Sequence, residues 1–386
     1  MMQRPISAVF MRGGTSKALM FQAADLPVSR EEWAPLFSAA MGSPDPYGRQ
    51  LDGMGGGISS LSKVCVLSVS ERADADIDYT FAQVKIEEEH VDYRGNCGNM
   101  SAAVGPYAVD EQIVKVTGNS ATVRIFNTNT SKLIHATFPL DEDGTSCYDG
   151  DFVIPGVGGS GAPIRLDFLD PGGATTGRLL PTGRTVDQMV VPEFGAIDVS
   201  MVDAGNAAVF VRAADIGLTG LELPDELGSW RDVLVLLDSI RREASVRMGI
   251  ARDTETARNT TSVPFVCLVS PPADNKTSSG QVIHQGDVDL VARAISNGQP
   301  HRALPLTVSL CMAVAASISG TIVADTASSP TDRRSPLRLG MPSGVLAVDA
   351  DVAYEGGEWN APVGSFYRTA RRLFDGRVWV PGATAV

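Results

Sequence analysis

Short runs of Val, Ile, Phe and Leu alternate along the chain with Gly, Pro, Asn and Asp, which predicts many short β-strands joined by tight turns. Two amphipathic stretches predict helices, at residues 30–41, with Ser29 as candidate N-cap, and at 229–248. Two further stretches, 98–109 and a run from residue 307, carry no charge and many small residues. A helix without a polar face must be surrounded by protein, so each is expected inside a curled sheet.

The uncharged segment 303–324 raises the question of a membrane-spanning helix. It contains Pro305, Gly320 and several Ser and Thr, whereas a lipid-exposed helix consists mainly of large aliphatic residues. We therefore expect a helix buried within the protein and no membrane partner. The N-terminal residues lack the apolar core of a signal peptide, so the expected localisation is cytoplasmic.

The pattern occurs twice along the chain. Four pairs of segments are similar and collinear: 18–26 and 208–216, 63–68 and 265–270, 98–109 and the run from 307, and 123–130 and 337–344. A repeat of about 190 residues is too long for a solenoid and indicates two similar domains. Pro, Gly and charge cluster at 177–193. The predicted domains are therefore 1–188 and 189–386, with the last strand allowed to cross back to the first domain.

Composition and charge narrow the function by exclusion. Of 386 residues, 44% are hydrophobic and 20% charged, as in folded globular proteins. The formal net charge of −13 argues against nucleic acid as a partner, because nucleic acid requires a positive surface. An acidic protein can still bind an acidic small molecule where a few cations converge in one cleft.

Metal and hydrolytic chemistry find little support. The five cysteines and four histidines are scattered, with no two at metal-ligand spacing. The glycine- and serine-rich loop 55–62 lacks the GK[ST] ending of a P-loop, and no G-x-S-x-G elbow is present. We therefore expect no metal site and no nucleotide site.

The two halves differ at two positions with chemical potential. Cys97 lies at the predicted start of an uncharged helix, where free N–H groups attract anions and favour a thiolate, and the second half has Leu306 or Thr307 there. Lys63 enters a buried strand, where its counterpart is Phe265, and a desolvated lysine is a candidate general base. From the residues alone, a structural cysteine and a lysine that reaches solvent stay open as alternatives.

Polar loops add further candidates. The segment 12–17 contains Arg12 and Lys17, both absent from its counterpart 202–207, although they also suit an ordinary hairpin turn. The loops 127–132 and 341–344 offer hydroxyl and amide donors. His301 and Arg302 precede the second uncharged helix and offer positive charge from the second half.

Together these motifs resemble the PrpF family, which groups methylaconitate cis–trans isomerases, methylitaconate and aconitate isomerases, and 4-oxalomesaconate tautomerases. The motifs span nearly the whole chain in order: Arg12-Gly-Gly-Thr-Ser-Lys17, Asp45-Pro-Tyr-Gly-Arg-Gln-Leu-Asp-Gly53, Ser59-Ser-Leu-Ser-Lys63, Gly95-Asn-Cys-Gly-Asn99, His301-Arg-Ala303, Pro342-Ser-Gly344 and Arg368-Thr-Ala-Arg-Arg372. The resemblance implies an α+β fold of two pseudo-symmetric domains, each a curled, mostly antiparallel sheet around a central helix, as in diaminopimelate epimerase. It places the active site between them.

The resemblance also implies a cofactor-independent isomerase that moves a C=C bond by 1,3-proton transfer in an unsaturated di- or tricarboxylate, and it allows a homodimer. Lys63 is the implied principal base and Cys97 its partner. The implied substrate-binding residues are Arg12, Thr15, Ser16, Lys17, Arg49, Ser60, Ser62, Asn96, Gly98, Asn99, His301, Thr307, Ser343 and Gly344.

Two alternatives remain. A racemase or epimerase of the same fold would need a second cysteine, which is absent. A non-catalytic accessory protein to an aconitase-like enzyme would not need both Lys63 and Cys97. Departures from the family's motifs at Ala18, Ile58, Arg94 and Met341 leave the preferred acid open. For a protein of net negative charge to bind a polyanion, its cations must converge, and the expected set is Arg12, Lys17, Arg49, Lys63, Arg94 and Arg302.

Overall fold

A computed structural model describes residues 3–93, 96–258, 260–261, 263–327 and 336–381. The chain divides into two compact units. Unit 1 comprises Met1–Phe168 and Tyr367–Val386, and unit 2 comprises Leu169–Phe366.

The observed division differs from the predicted boundary at 188/189. Residues Asp187–Val191 form a strand that pairs with Gly195–Ala204, and this ladder makes the segment before residue 189 part of unit 2. The C-terminal strand, Ala370–Pro381, belongs to unit 1 because it pairs with Gln3–Gly13. The Pro- and Gly-rich segment therefore leads into a strand of unit 2 and is not a linker.

The elements are numbered along the chain. The first eight strands are β1 (Gln3–Gly13), β2 (Ser16–Gln22), β3 (Lys63–Val69), β4 (Ile77–Val84), β5 (Val91–Asp92), β6 (Ser120–Asn127), β7 (Lys132–Pro139) and β8 (Ile164–Leu169). The strands that follow are β9 (Asp187–Val191), β10 (Gly195–Ala204), β11 (Asn206–Arg212), β12 (Phe265–Ser270), β13 (Asn275–Lys276), β14 (Val282–Ile283), β15 (Leu290–Ser296), β16 (Gln299–Pro300), β17 (Leu337–Met341), β18 (Gly344–Glu355), β19 (Glu358–Arg368) and β20 (Ala370–Pro381).

The helices are fewer. The α-helices are α1 (Trp33–Met41), α2 (Gly98–Asp110), α3 (Pro224–Ser229), α4 (Arg231–Arg247), α5 (Thr254–Ala257), α6 (Leu306–Ser317) and α7 (Ile322–Thr326). Short 3-10 turns occur at Ala23–Asp25, Arg30–Glu32, Ser59–Leu61, Ala213–Ile216 and Gln285–Asp287. The first predicted helix thus begins at Trp33, after a 3-10 turn, and the second at Arg231.

The two units share one strand topology. In unit 1, β1 pairs antiparallel with both β2 and β20, and β2 pairs parallel with β3. Strand β4 pairs antiparallel with β3 and with β5, and it pairs parallel with β6. Strands β6, β7 and β8 follow as an antiparallel series. In unit 2 the same order and directions recur through β9, β10, β11, β12, β15, β16, β17, β18 and β19. The fold is α+β, and both sheets are mostly antiparallel.

Strand register confirms the repeat seen in the sequence. Ala18 lies opposite Lys63 in the β2–β3 ladder, and Ala208 lies opposite Phe265 in the β11–β12 ladder. Ile125 likewise lies opposite Ile77 in unit 1, as Leu339 lies opposite Leu290 in unit 2. Segments matched by sequence therefore occupy matching positions in the two sheets.

Each unit holds one buried central helix, as predicted. The side chains from Met100 to Val109 of α2 are buried, and α2 packs on strands of its own unit that include β1, β2, β6 and β7. Residues Val308 to Ala315 of α6 are buried in the same way against β10, β11 and β18. No helix of the described residues is long and apolar enough to cross a membrane.

The amphipathic helices pack on the opposite faces of these sheets. Leu36 and Phe37 of α1 join a core with Val64 and Val66 of β3, and the Phe37 ring stacks on Phe21 at a centroid distance of 5.8 Å. Leu237, Ile240 and Ala244 of α4 form the equivalent core in unit 2. Because side chains alternate along a strand, Cys65, between Val64 and Val66, faces α2.

Candidate active site

Cys97 is the N-cap residue of α2, and its thiol makes no capping hydrogen bond. The first turn is closed by Ser101, whose backbone N–H and hydroxyl donate to the Cys97 carbonyl oxygen at 2.9 and 3.1 Å. The predicted helix start at Cys97 is therefore confirmed. The half-buried thiol lies beside backbone N–H groups that have no partner within the helix and attract negative charge.

The polar loop after β6 anchors the segment that precedes Cys97. The Asn129 amide donates to the carbonyl oxygens of Tyr93 and Phe81, at 2.7 and 2.8 Å, and accepts from the Phe81 N–H at 2.7 Å. The Asn127 amide donates to Asn96 Oδ1 at 3.4 Å. The predicted donors of this loop are thus engaged within the protein, where they fix the backbone that leads to α2.

Lys63 is buried at the start of β3, with 8% of its surface exposed. Its Nζ donates to Gln83 Oε1 at 2.5 Å and lies 5.0 Å from the centroid of the Phe81 ring. Gln83 Nε2 in turn donates to the carbonyl oxygens of Ser59 and Ser62, both at 3.0 Å. The side chain does not reach solvent, and within the described part of the chain it forms no ion pair with a carboxylate.

Lys63 and Cys97 both influence the pKa of one buried thiol, that of Cys65. Burial raises the pKa of the Cys65 thiol; its contact with Tyr79 and the charge of Lys63 act in the opposite sense, and Cys97 adds to the increase. Cys65 Sγ lies 3.7 Å from Tyr79 Oη. Since Lys63 and Cys65 are two residues apart on one strand, they share the face that packs against α2. Lys63 and Cys97 therefore lie in one neighbourhood of unit 1, and Cys65 is a core residue, as predicted.

The β1–β2 hairpin closes on the first turn of α2. A Cβ atom on Gly13 would lie 2.6 Å from the Asn99 carbonyl oxygen and 3.0 Å from Met100 Cα, so only glycine allows this approach. The Thr15 backbone N–H donates to Asn99 Oδ1 at 3.4 Å. Arg368 Nε donates to the same oxygen at 3.1 Å. Asn99 thus joins the hairpin, the helix start and the end of β19.

Gly13→Ala is expected to lower kcat/KM by about tenfold or more while the protein remains folded, because a displacement of α2 by a few tenths of an ångström or more misplaces Cys97. Steady-state kinetics and thermal unfolding would measure the two effects. Gly158→Ala is the matched control, since a Cβ there meets no atom within 4 Å. Equal activity of the two variants would show that the close approach at Gly13 does not position the site.

Arg12 and Lys17 serve the hairpin in a different way from Gly13. Arg12 Nη1 donates to the carbonyl oxygens of Gly14 and Thr369, at 3.0 and 2.9 Å. Lys17 Nζ lies 5.4 Å from the ring centroid of Phe10, which belongs to the core beneath α1. Since Arg12 and Lys17 lie directly opposite each other in the β1–β2 ladder, both side chains lie on the face of the hairpin opposite α2. Ser16 is buried and Thr15 is exposed at the turn.

The motif at 45–53 shapes the loop before Lys63. The Asp45 carboxylate accepts hydrogen bonds from the backbone N–H groups of Tyr47, Arg49 and Gln50, which lower its pKa. Gln50 Oε1 accepts from the Ser62 hydroxyl at 2.5 Å. The Arg49 side chain is exposed, and Ser60 is half-buried in the adjoining 3-10 turn. This motif thus supports the residue next to Lys63.

Within the described part of each unit, three of the cations expected to converge do not point toward the start of α2. Lys17 faces away from α2, Arg49 is exposed, and Arg302 is exposed in an ion pair with Asp225 at 2.7 Å. Arg94, like Gly95, lies outside the described residues. Their convergence on a substrate therefore stays a prediction, since the pleat of a hairpin and a local carboxylate decide where each cation points and neither can be read from net charge.

Among the described residues, Arg368 is a cation that reaches the start of α2, and sequence reasoning had not assigned it to the site. It is 7% exposed, and burial lowers its pKa to about 10. Its Nη1 donates to the Tyr367 carbonyl oxygen at 2.8 Å, besides the bond from Nε to Asn99. Its place in the Arg368–Arg372 motif was the only signal in the sequence. Gln83, the partner of Lys63, was also missed.

The predicted residues of unit 2 lie around the start of α6. Asn206 Nδ2 donates to Thr307 Oγ1 at 2.6 Å, and His301 Nε2 lies 2.7 Å from Ser296 Oγ. Burial lowers the pKa of His301. Ser343 Oγ is buried without a hydrogen-bond partner among the residues described, and Gly344 follows it in a tight turn. Their role in substrate binding stays a prediction.

The counterpart of Cys97 in unit 2 is Pro305, not Leu306 or Thr307. Cys97 is the N-cap of α2 and Pro305 is the N-cap of α6. In unit 1 the β1–β2 turn contacts Asn99 through Thr15, and in unit 2 the β10–β11 turn contacts Thr307 through Asn206. Asn99 and Thr307 each lie two residues after the N-cap. The predicted counterpart was one or two residues too late, because a run of small uncharged residues does not show at which residue a helix begins. A proline has no acid or base group.

Three departures from the motifs can be located. Ala18 is fully buried opposite Lys63, and Ile58 is the exposed residue that precedes the 3-10 turn. Met341 Sδ accepts a hydrogen bond from the Leu304 N–H at 3.4 Å, just before α6. No group of three His, Cys, Asp or Glu side chains suited to a metal occurs in the described ranges.

Comparisons with known proteins cover nearly the whole chain. A family model described as PrpF protein matches residues 2–381. The 2-methyl-aconitate isomerase of Shewanella oneidensis is 38% identical over 390 residues, covering 98% of this chain and 98% of that protein. The 3-methylitaconate isomerase of Eubacterium barkeri is 40% identical over 386 residues, covering 100% and 99%. The crystal structure of a methylitaconate-delta-isomerase has a TM-score of 0.90 at 40% identity, covering 98% of this chain and 96% of that one.

Proposed function

The chain belongs to the PrpF family and is an isomerase, and we propose that it moves a C=C bond by 1,3-proton transfer within an unsaturated di- or tricarboxylate. The observation that carries this proposal is a buried lysine and a helix N-cap cysteine in unit 1 that both interact electrostatically with Cys65. Among the residues that the structure describes, Lys63 forms no ion pair with a carboxylate, and its direct polar partner is Gln83. Cys97 has a thiol that serves no capping role.

The proposed reaction conserves atoms and electrons. The neutral Lys63 amine takes a proton from an allylic carbon, and the electron pair of that C–H bond spreads over the double bond and its carboxylate as a dienolate. Cys97 delivers a proton two carbons away, which forms a new C–H bond and completes the migration of the double bond. The proton held by Lys63 then returns to Cys97, so no oxidant, reductant or further reactant is consumed.

The start of α2 is the proposed site of charge stabilisation. Backbone N–H groups at a helix N-terminus bind carboxylates and stabilise oxygen atoms that gain negative charge. The buried Arg368 guanidinium lies one side chain away, on Asn99 Oδ1, and adds positive charge to the same region. Together they suit the carboxylate whose enolate forms when the C–H bond breaks.

The substrate is proposed to be a small branched acid of the type named for the relatives. One relative is named for 2-methylaconitate and another for 3-methylitaconate. In both, a C–H bond lies next to a double bond that carries a carboxylate, which makes that proton removable. The acid preferred by this chain is the finer part of the proposal, and a substrate panel tests it.

Epimerisation is less well supported. Inversion of a stereocentre by two bases requires an acid or base on each side of one carbon. The N-cap of α6 that corresponds to Cys97 is Pro305, which can neither donate nor accept a proton through its side chain. A single thiol paired with a lysine suits transfer between two carbons better than inversion at one.

Incubation with 2-methylaconitate, aconitate, methylitaconate and 4-oxalomesaconate in D2O, followed by NMR, tests the function. We expect deuterium at allylic carbons of at least one acid, together with movement of its double bond. Deuterium only at a saturated stereocentre would establish an epimerase instead. No exchange and no isomerisation with any of the four acids would favour the non-catalytic alternative. The Lys63→Met protein provides the background rate.

A further inference from the structure

We propose that Gln83 is a positioning residue that holds the Lys63 amine and sets the pH range in which it acts as a base. The inference rests on the proposed function, because it concerns the residue assigned there as the base. Gln83 would act through Lys63 without touching the substrate.

The orientation of the Gln83 amide is fixed by its surroundings. Its nitrogen lies 3.0 Å from the carbonyl oxygens of Ser59 and Ser62, and both of these can only accept. The amide oxygen must therefore face the opposite way, toward Lys63 Nζ at 2.5 Å. Lys63 and Gln83 are also directly opposite in the β3–β4 ladder, so the backbone fixes the distance between them. The lysine nitrogen is thereby held at one place.

The groups around Lys63 Nζ leave Gln83 as its direct polar partner among the described residues. The titratable groups in this part of unit 1 are Cys65 of β3, which interacts electrostatically with both Lys63 and Cys97, and Tyr79 of β4, whose hydroxyl lies 3.7 Å from Cys65 Sγ. β2 contributes Ala18 opposite Lys63. Asp92 of β5 lies opposite Gln83 in the next ladder and has interactions of its own, and Lys63 forms no ion pair with it.

A neutral acceptor has a specific consequence for a general base. A carboxylate at this place would stabilise the ammonium form of Lys63 and remove it from service as a base at neutral pH. The amide oxygen of Gln83 orients an N–H of the same amine without a full opposite charge. One side chain thus holds the amine in place without supplying a negative charge.

Unit 2 provides an internal comparison. The residue that matches Lys63 is Phe265. In the β12–β15 ladder Val266 lies opposite Ile295, so the preceding residue, Phe265, faces Ser296, which therefore corresponds to Gln83. Ser296 contacts His301 instead of a lysine. The amide occurs in the unit that has the lysine, and both are absent from matching positions of the unit that lacks it.

The test compares kcat/KM against pH for Gln83→Glu and Gln83→Met. In Gln83→Glu the acidic limb is expected to move up by about 1–3 pH units, because an added carboxylate favours the ammonium form. Activity at pH 7 falls accordingly by about 10- to 1,000-fold and recovers at high pH. In Gln83→Met the acidic limb of the profile does not move to higher pH. The maximal kcat/KM falls by about 10- to 100-fold, because the Lys63 amine is no longer held in place. Gln188→Glu, on the exposed face of β9, is the matched control and leaves the profile unchanged.

The variants distinguish a failure of the role proposed for Gln83 from a failure of the role proposed for Lys63. If Gln83→Glu lowers kcat/KM by one factor at all pH values, or if both variants match the wild type, Gln83 does not set the protonation of Lys63 and this inference is wrong. If Lys63→Met retains wild-type activity, the proposed function of Lys63 fails, whatever the Gln83 variants do. Thermal unfolding identifies a variant that has lost its fold, and the other Gln83 variant then decides.

Discussion

Lys63→Met is expected to lower kcat/KM by about 10²- to 10⁴-fold, the contribution of a positioned general base. Methionine retains an unbranched apolar chain of similar length, so it fills the space over the Phe81 ring. The amine, the hydrogen bond to Gln83 and the capacity to take a proton are lost. Steady-state kinetics with whichever acid of the panel the wild type converts would measure the effect, and circular dichroism would show that the fold is retained.

Two further variants sharpen this experiment. Lys63→Arg keeps the positive charge and one donor to Gln83, but a guanidinium stays protonated and cannot serve as a base, so activity is not restored. Lys276→Met removes an exposed lysine of β13 and is expected to change kcat/KM by less than about threefold. Activity of Lys63→Met within about tenfold of the wild type would show that Lys63 is not the base.

The duplicated architecture could be predicted because hydrophobic patterns survive in both halves. Ala18 and Ala208 occupy the same place in their ladders, and so do Lys63 and Phe265. The central helices could be recognised because a segment without charge has to be buried on all sides, whatever its partners are. Such features depend on local composition, which a single sequence contains.

The boundary between the units was misplaced for a physical reason that the sequence did contain. The segment 177–193 was interpreted as a linker from its Pro, Gly and charged residues. Within it, Asp187–Val191 alternates buried and exposed positions, which is the period of a half-buried strand. The part of the segment before this strand is also held by β10, since the Asp203 N–H donates to the Leu179 carbonyl oxygen at 2.9 Å.

The polar contacts of the site could not be derived from spacing. Gln83 reaches Lys63 from a neighbouring strand, and Arg368 reaches Asn99 from the far end of the chain. A polar residue within a strand pattern carries no signal that names its partner. The direction of the Arg12 side chain, toward carbonyl oxygens of its own turn, likewise depends on tertiary contacts.

Cys97→Ala is expected to lower the rate of double-bond migration by about 10²- to 10⁴-fold, comparable to loss of the base, because proton delivery to the second carbon is removed. Alanine at an N-cap whose side chain makes no capping bond leaves α2 in place. Cys147→Ala is the matched control, since Cys147 is the other described cysteine that is only partly buried, and it is expected to retain activity within about threefold.

Deuterium exchange separates the two proposed roles. If Lys63 removes the first proton and Cys97 delivers the second, Cys97→Ala still exchanges the allylic C–H bond of the substrate with D2O although the double bond no longer moves. Lys63→Met loses both exchange and migration, because no carbanion forms without the base. The opposite pattern, with exchange retained in Lys63→Met and lost in Cys97→Ala, would reverse the roles: the thiolate would be the base and the lysine its partner acid.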